Sequence, residues 1–330
     1  MPIAVTNHFP LSALLLLSLT SCKVLDPDEP GNLVPETVAE DSALPSFETS
    51  DGVLLHASFL DGGHDRTAII LHGGPGADHR AYLSLNALAN EMNIIQFDQR
   101  GTGLSERVSA DSIDGDTYVQ DIVDLLDAWA DGPVVVIGHS WGGAYAALFA
   151  STWPERVSHL ILLEPAALTI DAADEANSSA IDFGDPNVHR YLDTTQYLSP
   201  RSAARQDWYF GVLLQNFPAA PDFADNENPE DVPFWRHGML ANREINDWQG
   251  NFSDPTFDLT QALATFEAPT LIVAGTASER LGAEFQQEFH VPLFQNVEFQ
   301  TVEGAGHFLP VFHADETMTL IRAFLQEVEP

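Results

Sequence analysis

Ser140 stands in the stretch VVVIGHSWGGA, Val134 to Ala144, where a β-branched run ends in Gly138-His139-Ser140-Trp141-Gly142 and an alanine-rich stretch follows. A G-x-S-x-G sequence between a strand and a helix is the setting of a nucleophilic serine held on a sharp turn. So tight a turn admits only small residues two positions either side of the serine, which explains Gly138 and Gly142. The expected result is a hydroxyl above the carboxyl edge of a parallel sheet, at the positive end of the next helix. The chemistry implied is acyl transfer through a serine. The plain alternative is an ordinary glycine-rich strand–helix turn.

Two further motifs favour the chemical reading. Ala68-Ile69-Ile70-Leu71 reads as a buried strand and runs into His72-Gly73-Gly74-Pro75-Gly76. Acyl transfer needs backbone N–H donors aimed at a developing oxyanion, and glycines let the backbone approach it. Gly74 is the expected donor here, with Trp141, the residue after the serine, as the second. Asn93–Phe97 then reads as another strand ending in Asp98-Gln99-Arg100-Gly101-Thr102-Gly103-Leu104-Ser105. Asp98 and Arg100 are assigned to structure, holding that loop by charge-assisted hydrogen bonds.

HGGPG, DQRGTGLS and GHSWGG at these separations resemble the proline iminopeptidase branch of the α/β-hydrolase superfamily, over residues 72 to 143. The broader hydrolase pattern runs from about Phe47 to the C-terminus. The resemblance implies an α/β fold with a mostly parallel central sheet flanked by helices, and a helical cap inserted after the sixth strand. It also implies a Ser-His-acid triad with no metal or cofactor, and release of an N-terminal residue, often proline, from small peptides.

The remaining triad members must lie downstream. Val297–Val302 reads as the last strand, and His307 in the following Gly-Ala-Gly-His matches the family's general base. His313, six residues on, is the weaker candidate. The acid departs from the family pattern. After the strand Pro269–Ala274 the family shows Gly-x-x-Asp, whereas here Gly275-Thr276-Ala277 is followed by Ser278, with Glu279 one position later. A longer side chain could offset that shift, because the acid's task is to hold the imidazole tautomer. Glu164, at the end of the strand Val157–Leu163, is the alternative acid. Glu279 is favoured slightly.

The elements that must position these residues follow from periodicity. Phe47 to Asp61 reads as a hairpin turning at Asp51-Gly52. Thr117–Ala130 and His313–Val328 carry apolar residues at helical spacing. From about Pro165 to Phe266 the strand–helix alternation breaks and aromatics accumulate: Trp208, Tyr209, Phe210, Phe217, Phe223, Phe234, Trp235, Trp248 and Phe252. This stretch is read as the cap, with one or two of its aromatics at the site. In it, Asn242-Arg243-Glu244-Ile245-Asn246 loosely resembles the segment where iminopeptidases set a glutamate against the substrate amine, so Glu244 is the candidate anchor. The expected division is a signal segment 1–22, a tether 23–45, core 46–164, cap 165–266 and core 267–330.

Residues 11 to 19, LSALLLLSL, followed by Leu19-Thr20-Ser21-Cys22, resemble the lipobox of bacterial lipoproteins, whose cysteine is lipid-modified. The run is too short to span a bilayer, which takes about 20 residues, and suits a signal h-region. The first ten residues carry no Lys or Arg, where a signal normally starts basic. Cys22 is the chain's single cysteine and so has no disulfide partner within it. An exported protein anchored through Cys22 is expected, at the outer membrane because Lys23 rather than aspartate follows. Residues 24 to 44, acidic and proline-bearing, read as the tether.

Lys and Arg number 13 against 49 Asp and Glu, a formal net charge of −36. That balance argues against nucleic acid or an anionic membrane surface as a partner. Because the excess is spread over tether, cap and core, a saline habitat explains it better than a cationic substrate. The sequence thus supports a serine hydrolase taking a small peptide or ester. An iminopeptidase-type aminopeptidase is favoured over a lipid-anchored carboxylesterase, and a non-catalytic binding protein comes last.

Overall fold

The computed structural model describes residues 34–178, 203–216, 223–224, 226–228, 231–250 and 257–327. Eight strands form one sheet in the order β1-β2-β4-β3-β5-β6-β7-β8. β1 (Ser46–Glu48) and β2 (Leu54–Leu60) are antiparallel and joined through Gly52, whose φ is +86°. β2 also runs antiparallel to β4 (Asn93–Phe97). From β4 onward the pairing is parallel, through β3 (Thr67–Leu71), β5 (Val134–His139), β6 (Val157–Leu163), β7 (Thr270–Gly275) and β8 (Val297–Val302). Parallel strands require crossover connections, and these place helices on both faces.

The two faces explain why the central strands read as unbroken apolar runs. Alternate side chains of a strand point to opposite faces, and each face here has its own core. On one, Ile69, Leu71, Ile95, Phe97, Val134 and Val136 meet helices α1 (Gly115–Trp129) and α2 (Trp141–Thr152). On the other, Ala68, Ile70, Ile94, Val135, Ile137 and Ile161 meet a 3-10 segment, His79–Asn90, and the last helix through Met318, Ile321, Phe324 and Leu325. The α1 start is fixed by Asp114, whose carboxylate accepts the Thr117 N–H at 2.7 Å.

Between β6 and β7 the chain forms the cap. Its longer described helices are α3 (Ile170–Ser178), α4 (Ala203–Asn216) and α5 (Met239–Trp248), and the last helix of the chain is α6 (Ala314–Glu327). α5 docks on the loop after β3. The Gly238 N–H donates to the Gly76 carbonyl at 2.7 Å, and Asn242 Nδ2 donates to the Pro75 carbonyl at 2.7 Å.

Residues 34–44, which the sequence places in the tether, are instead bound to the body. Thr37 and Val38 are buried, and the Val38 N–H donates to the Leu104 carbonyl at 2.8 Å. The cap's Arg236 donates to the Pro35 carbonyl at 2.9 Å. The physical cause is that Val38 gains an apolar site and a buried guanidinium gains an acceptor. These residues therefore pack with the body rather than standing apart from it as a tether. The apolar run and Cys22 lie outside the described residues, among which no helix is long and apolar enough to cross a membrane.

Candidate active site

Ser140 sits between β5 and α2 with φ +56° and ψ −125°. Such a backbone is costly for a side-chain-bearing residue and persists only where its surroundings impose it. The packing here does impose it. A Cβ on Gly142 would stand 2.1 Å from the Leu71 carbonyl oxygen, and one on Gly138 would stand 2.1 Å from the Gly142 carbonyl oxygen. Among the described residues, one other non-glycine residue has positive φ: Glu164, at +40°. The two strained backbones belong to a hydroxyl and a carboxylate that the chemistry requires.

Glu164 is fully buried at the end of β6. Its Oε2 lies 2.6 Å from His307 Nδ1, and its Oε1 accepts the Gly275 N–H at 2.6 Å. This corrects the assignment of the acid. Glu279 is exposed, and the imidazole nitrogen it was expected to hold is taken by Glu164. Strand order is the reason. β6 lies directly beside β5, so the Ser140 N–H donates to the Leu163 carbonyl at 3.1 Å, and Glu164 emerges level with the serine. The loop of Glu279 follows β7, one strand further off. Ser278, at the family's aspartate position, is buried with a hydroxyl that has no hydrogen-bond partner. The sequence signal for Glu164 was the pairing of an uncharged residue at 278 with a carboxylate ending the strand next to the serine's own.

The HGGPG loop lies against the serine: a Cβ on Gly73 would be 3.1 Å from Ser140 Cβ. Gly74 and Trp141 line the same cavity as Ser140. Trp141 opens α2, so its N–H lacks an intrahelical acceptor. The DQRG loop braces both. The Gln99 N–H donates to His72 Nε2 at 3.0 Å, leaving Nδ1 to donate to the Gly73 carbonyl at 2.9 Å. Gln99 Oε1 accepts from Trp141 Nε1 at 3.0 Å. Burial pushes His72 down to about 4, which keeps that imidazole neutral and its two bonds fixed in sense.

Asp98 and Arg100 hold this loop, as the sequence implies. Arg100 Nε and Nη2 reach both oxygens of Asp121 at 2.8 and 2.5 Å, and Nη1 reaches Asp51 at 2.9 Å. Asp98 accepts from His56 Nδ1, His79 Nδ1, the His79 N–H and the Leu104 N–H. Burial alone would raise Asp98, but the His79 charge and the hydrogen bonds of His56 and His79 hold it well below the usual range. His56, His79 and Asp98 bring ligand-type atoms within 4.8 Å of one another. With four donors already on the carboxylate, this cluster is an ion-paired strut rather than an open cation site.

The cavity in front of Ser140 has a volume of about 150 Å³. Ala166, Ala167, Ala173, Ala176, Leu281 and Phe257 form its apolar wall, and Asn246, Gln249 and Arg280 bring polar groups to it. Among the described residues no carboxylate lines it. Glu244 is not in it: Arg243 Nε donates to Glu244 Oε1 at 2.9 Å. At about 100° per residue, Glu244 lies roughly 200° around α5 from Asn242, on the side away from the oxyanion loop. None of the cap aromatics singled out from sequence lines the cavity among the described residues; Phe257 does. Phe223 instead stacks on Phe308 at 5.0 Å, and Trp235 packs edge-on against His56 and His79. Phe217 and Phe252, and the Tyr209 side chain, fall outside the described residues. His313 faces Glu227 at 3.4 Å. Tyr82, His139, Asn246 and Gln249 are site residues that sequence reasoning missed, since each is brought in by the packing of a helical face or a strand end against a distant loop.

A family model described as alpha/beta hydrolase fold matches residues 68–314. A proline iminopeptidase of Heyndrickxia coagulans is 32% identical over 290 residues, covering 86% of this chain and 98% of that protein. A bifunctional esterase/perhydrolase of Acinetobacter calcoaceticus is 23% identical over 84% of this chain and 98% of its own. Among solved structures, Est816, described as an N-acyl homoserine lactone degrading enzyme, superposes with TM-score 0.61 at 21% identity, over 85% of this chain and 100% of its own. The proline iminopeptidase of Mycobacterium smegmatis does so with TM-score 0.57 at 19% identity, over 86% and 97%.

Proposed function

Because this chain belongs to the alpha/beta hydrolase fold family, we propose that it is a serine hydrolase working by acyl transfer, releasing the N-terminal residue of small peptides. The observation that carries the hydrolase reading is the pairing of Glu164 with His307 Nδ1, Glu164 standing at the end of the strand beside that of a serine on a strained turn. His307 takes the proton of Ser140 as the hydroxyl attacks the scissile carbonyl. The Gly74 and Trp141 N–H groups hold the oxyanion. His307 then protonates the leaving amine, and water, deprotonated in its turn by His307, releases the acyl group. Glu164 keeps the imidazole in the required tautomer and stabilises the imidazolium. The 32% identity to a proline iminopeptidase over nearly its whole length supports the peptidase specificity.

A small-ester substrate is the second reading, and one observation favours it. Glu244 is engaged by Arg243, and among the described residues no carboxylate faces the cavity to receive a substrate ammonium. A panel of prolyl and alanyl arylamides, their N-acetylated forms and short-chain aryl esters separates the two. Rapid cleavage of free-amine arylamides with loss on acetylation supports the peptidase, and hydrolysis of esters alone supports the esterase. A fluorophosphonate should label the wild type and not Ser140→Ala; equal labelling of both ends the serine-hydrolase reading. The apolar run before Cys22 supports the further proposal that the enzyme is exported and held at a bacterial membrane by a lipid on Cys22.

A further inference from the structure

Ser140, His307 and Glu164 leave unexplained a buried polar chain that joins two loops of the site. The Gly73 N–H donates to Tyr82 Oη at 2.9 Å, Tyr82 Oη lies 2.9 Å from His139 Nδ1, and His139 Nε2 lies 2.7 Å from the His307 carbonyl oxygen. Tyr82, His139 and His307 are each at most 3% exposed. The senses of these bonds are fixed by chemistry. A carbonyl oxygen only accepts, so the His139 proton is on Nε2. Burial, reinforced by the neighbouring His307, pushes His139 well below its ordinary value, so the ring carries one proton and Nδ1 accepts. Tyr82 must therefore donate its hydroxyl proton to Nδ1 and accept from Gly73 with its oxygen. Burial also pushes the Tyr82 phenol up, which keeps that proton in place.

We propose that Tyr82 and His139 are positioning residues that lock the oxyanion loop and the His307 loop at one spacing. Each end of the chain grips main chain beside a reacting group. At one end the Gly73 N–H is committed to Tyr82, directly beside the Gly74 N–H proposed for the oxyanion. At the other end the carbonyl of His307 itself is held, while Glu164 holds the ring. His139 ends β5 directly before Ser140, and its ring centroid is 4.5 Å from that of His307. One strand end thus carries the nucleophile and the imidazole that anchors the base. Catalysis is sensitive to misplacements of this kind because donors must already point where charge develops.

This inference rests on the acyl-transfer reading, and its test separates the two. The variants are Tyr82→Phe, His139→Phe, the double variant, and His139→Gln, which keeps one donor and one acceptor. For each, the melting temperature, kcat, KM and the rate of Ser140 acylation by a fluorophosphonate are measured. Each ring-preserving single variant removes two of the chain's three hydrogen bonds; with each bond corresponding to at most about tenfold in rate, kcat and acylation rate should fall by roughly ten- to a hundredfold with KM held. Because the members act as one chain, the double variant should be no slower than the slower single, the signature of coupled residues. His139→Gln should be faster than His139→Phe. Wild-type rates in Tyr82→Phe, or single-variant losses that multiply in the double, overturn the proposal. Labelling of Ser140→Ala would instead overturn the serine-hydrolase reading itself.

Discussion

At the scale of single residues, Glu164 distinguishes this site. Its carboxylate is fully buried and accepts from two donors, His307 Nδ1 and the Gly275 N–H. Glu164→Gln would keep one acceptor oxygen for Gly275 and turn its NH2 toward His307. The imidazole would then have to present Nδ1 as an acceptor, placing its proton on the nitrogen that must receive one from Ser140. An amide at this position costs on the order of 10⁴ in kcat in a related triad, and a loss of that order is expected for Glu164→Gln with KM little changed. Glu279→Gln should leave kcat within about twofold of wild type, as befits an exposed surface change. A large loss in Glu279→Gln with none in Glu164→Gln would return the acid to the loop after β7. The sequence made both glutamates candidates, Glu164 because it follows directly on β6 and Glu279 because it lies one place beyond the family's aspartate position in the loop after β7. Choosing between them needed the spacing of strands, not of residues.

At the scale of elements, the junction of oxyanion loop and cap matters most. Asp78 accepts the Arg80 N–H at the start of the 3-10 segment at 2.9 Å, and the cap's Trp235 and Arg236 N–H groups at 2.6 and 2.9 Å. One carboxylate therefore caps a core segment and clamps the cap. Burial first, then the charge of Asp98, push Asp78 up to about 7. Raised from an ordinary 3.8, this group binds a proton more tightly in the folded protein than in the unfolded chain. Its contribution to stability is thus full below about pH 4 and is lost as pH rises to about 7. The melting temperature of the wild type minus that of Asp78→Asn should accordingly shrink across that interval. A difference that grows with pH would show that the backbone N–H donors keep Asp78 ionised throughout. The cap also reaches the catalytic loop, since Glu227 accepts the Gly306 N–H at 2.9 Å directly before His307. None of these ties is legible in the sequence. Asp78 and Glu227 are ordinary acidic residues in an acidic chain until the fold sets donors around them.

At the scale of the whole molecule, charge dominates. Arg100, Arg107 and Arg236 are drawn inside or nearly so to meet Asp121 and Asp207, and the chain as a whole carries 13 basic against 49 acidic residues. Like charges at that density repel across the folded surface and destabilise the compact state. Raising salt shortens the screening length from about 10 Å at 0.1 M to about 3 Å at 1 M. The melting temperature should therefore climb by several degrees between those NaCl concentrations. An equal rise in sucrose of matched osmolality would assign the effect to solvent exclusion instead. The proposed anchor is tested at the same scale. Wild-type protein should partition with membranes into detergent, and Cys22→Ser should yield unprocessed or water-soluble protein. Wild-type protein wholly in the aqueous phase would remove the anchor.

The sequence by itself determined the fold class and the serine's role candidates, because both are local. A strand ending in G-x-S-x-G, a glycine-rich loop after the buried strand β3 and a Gly-Ala-Gly-His after the last strand are short-range patterns, and the structure places each at the same sheet edge. Periodicity likewise placed β4, β6 and β8 at their observed bounds, β4 and β6 as largely apolar runs buried on both faces and β8 as an alternating edge strand. Tertiary structure decided the partner of His307, the orientation of Glu244 away from the cavity, the docking of residues 34–44 and the Tyr82–His139 chain. Each of these depends on which strand lies beside which, or on which face of a helix meets a loop. Those distances are set by packing between segments far apart in sequence, and no local pattern encodes them.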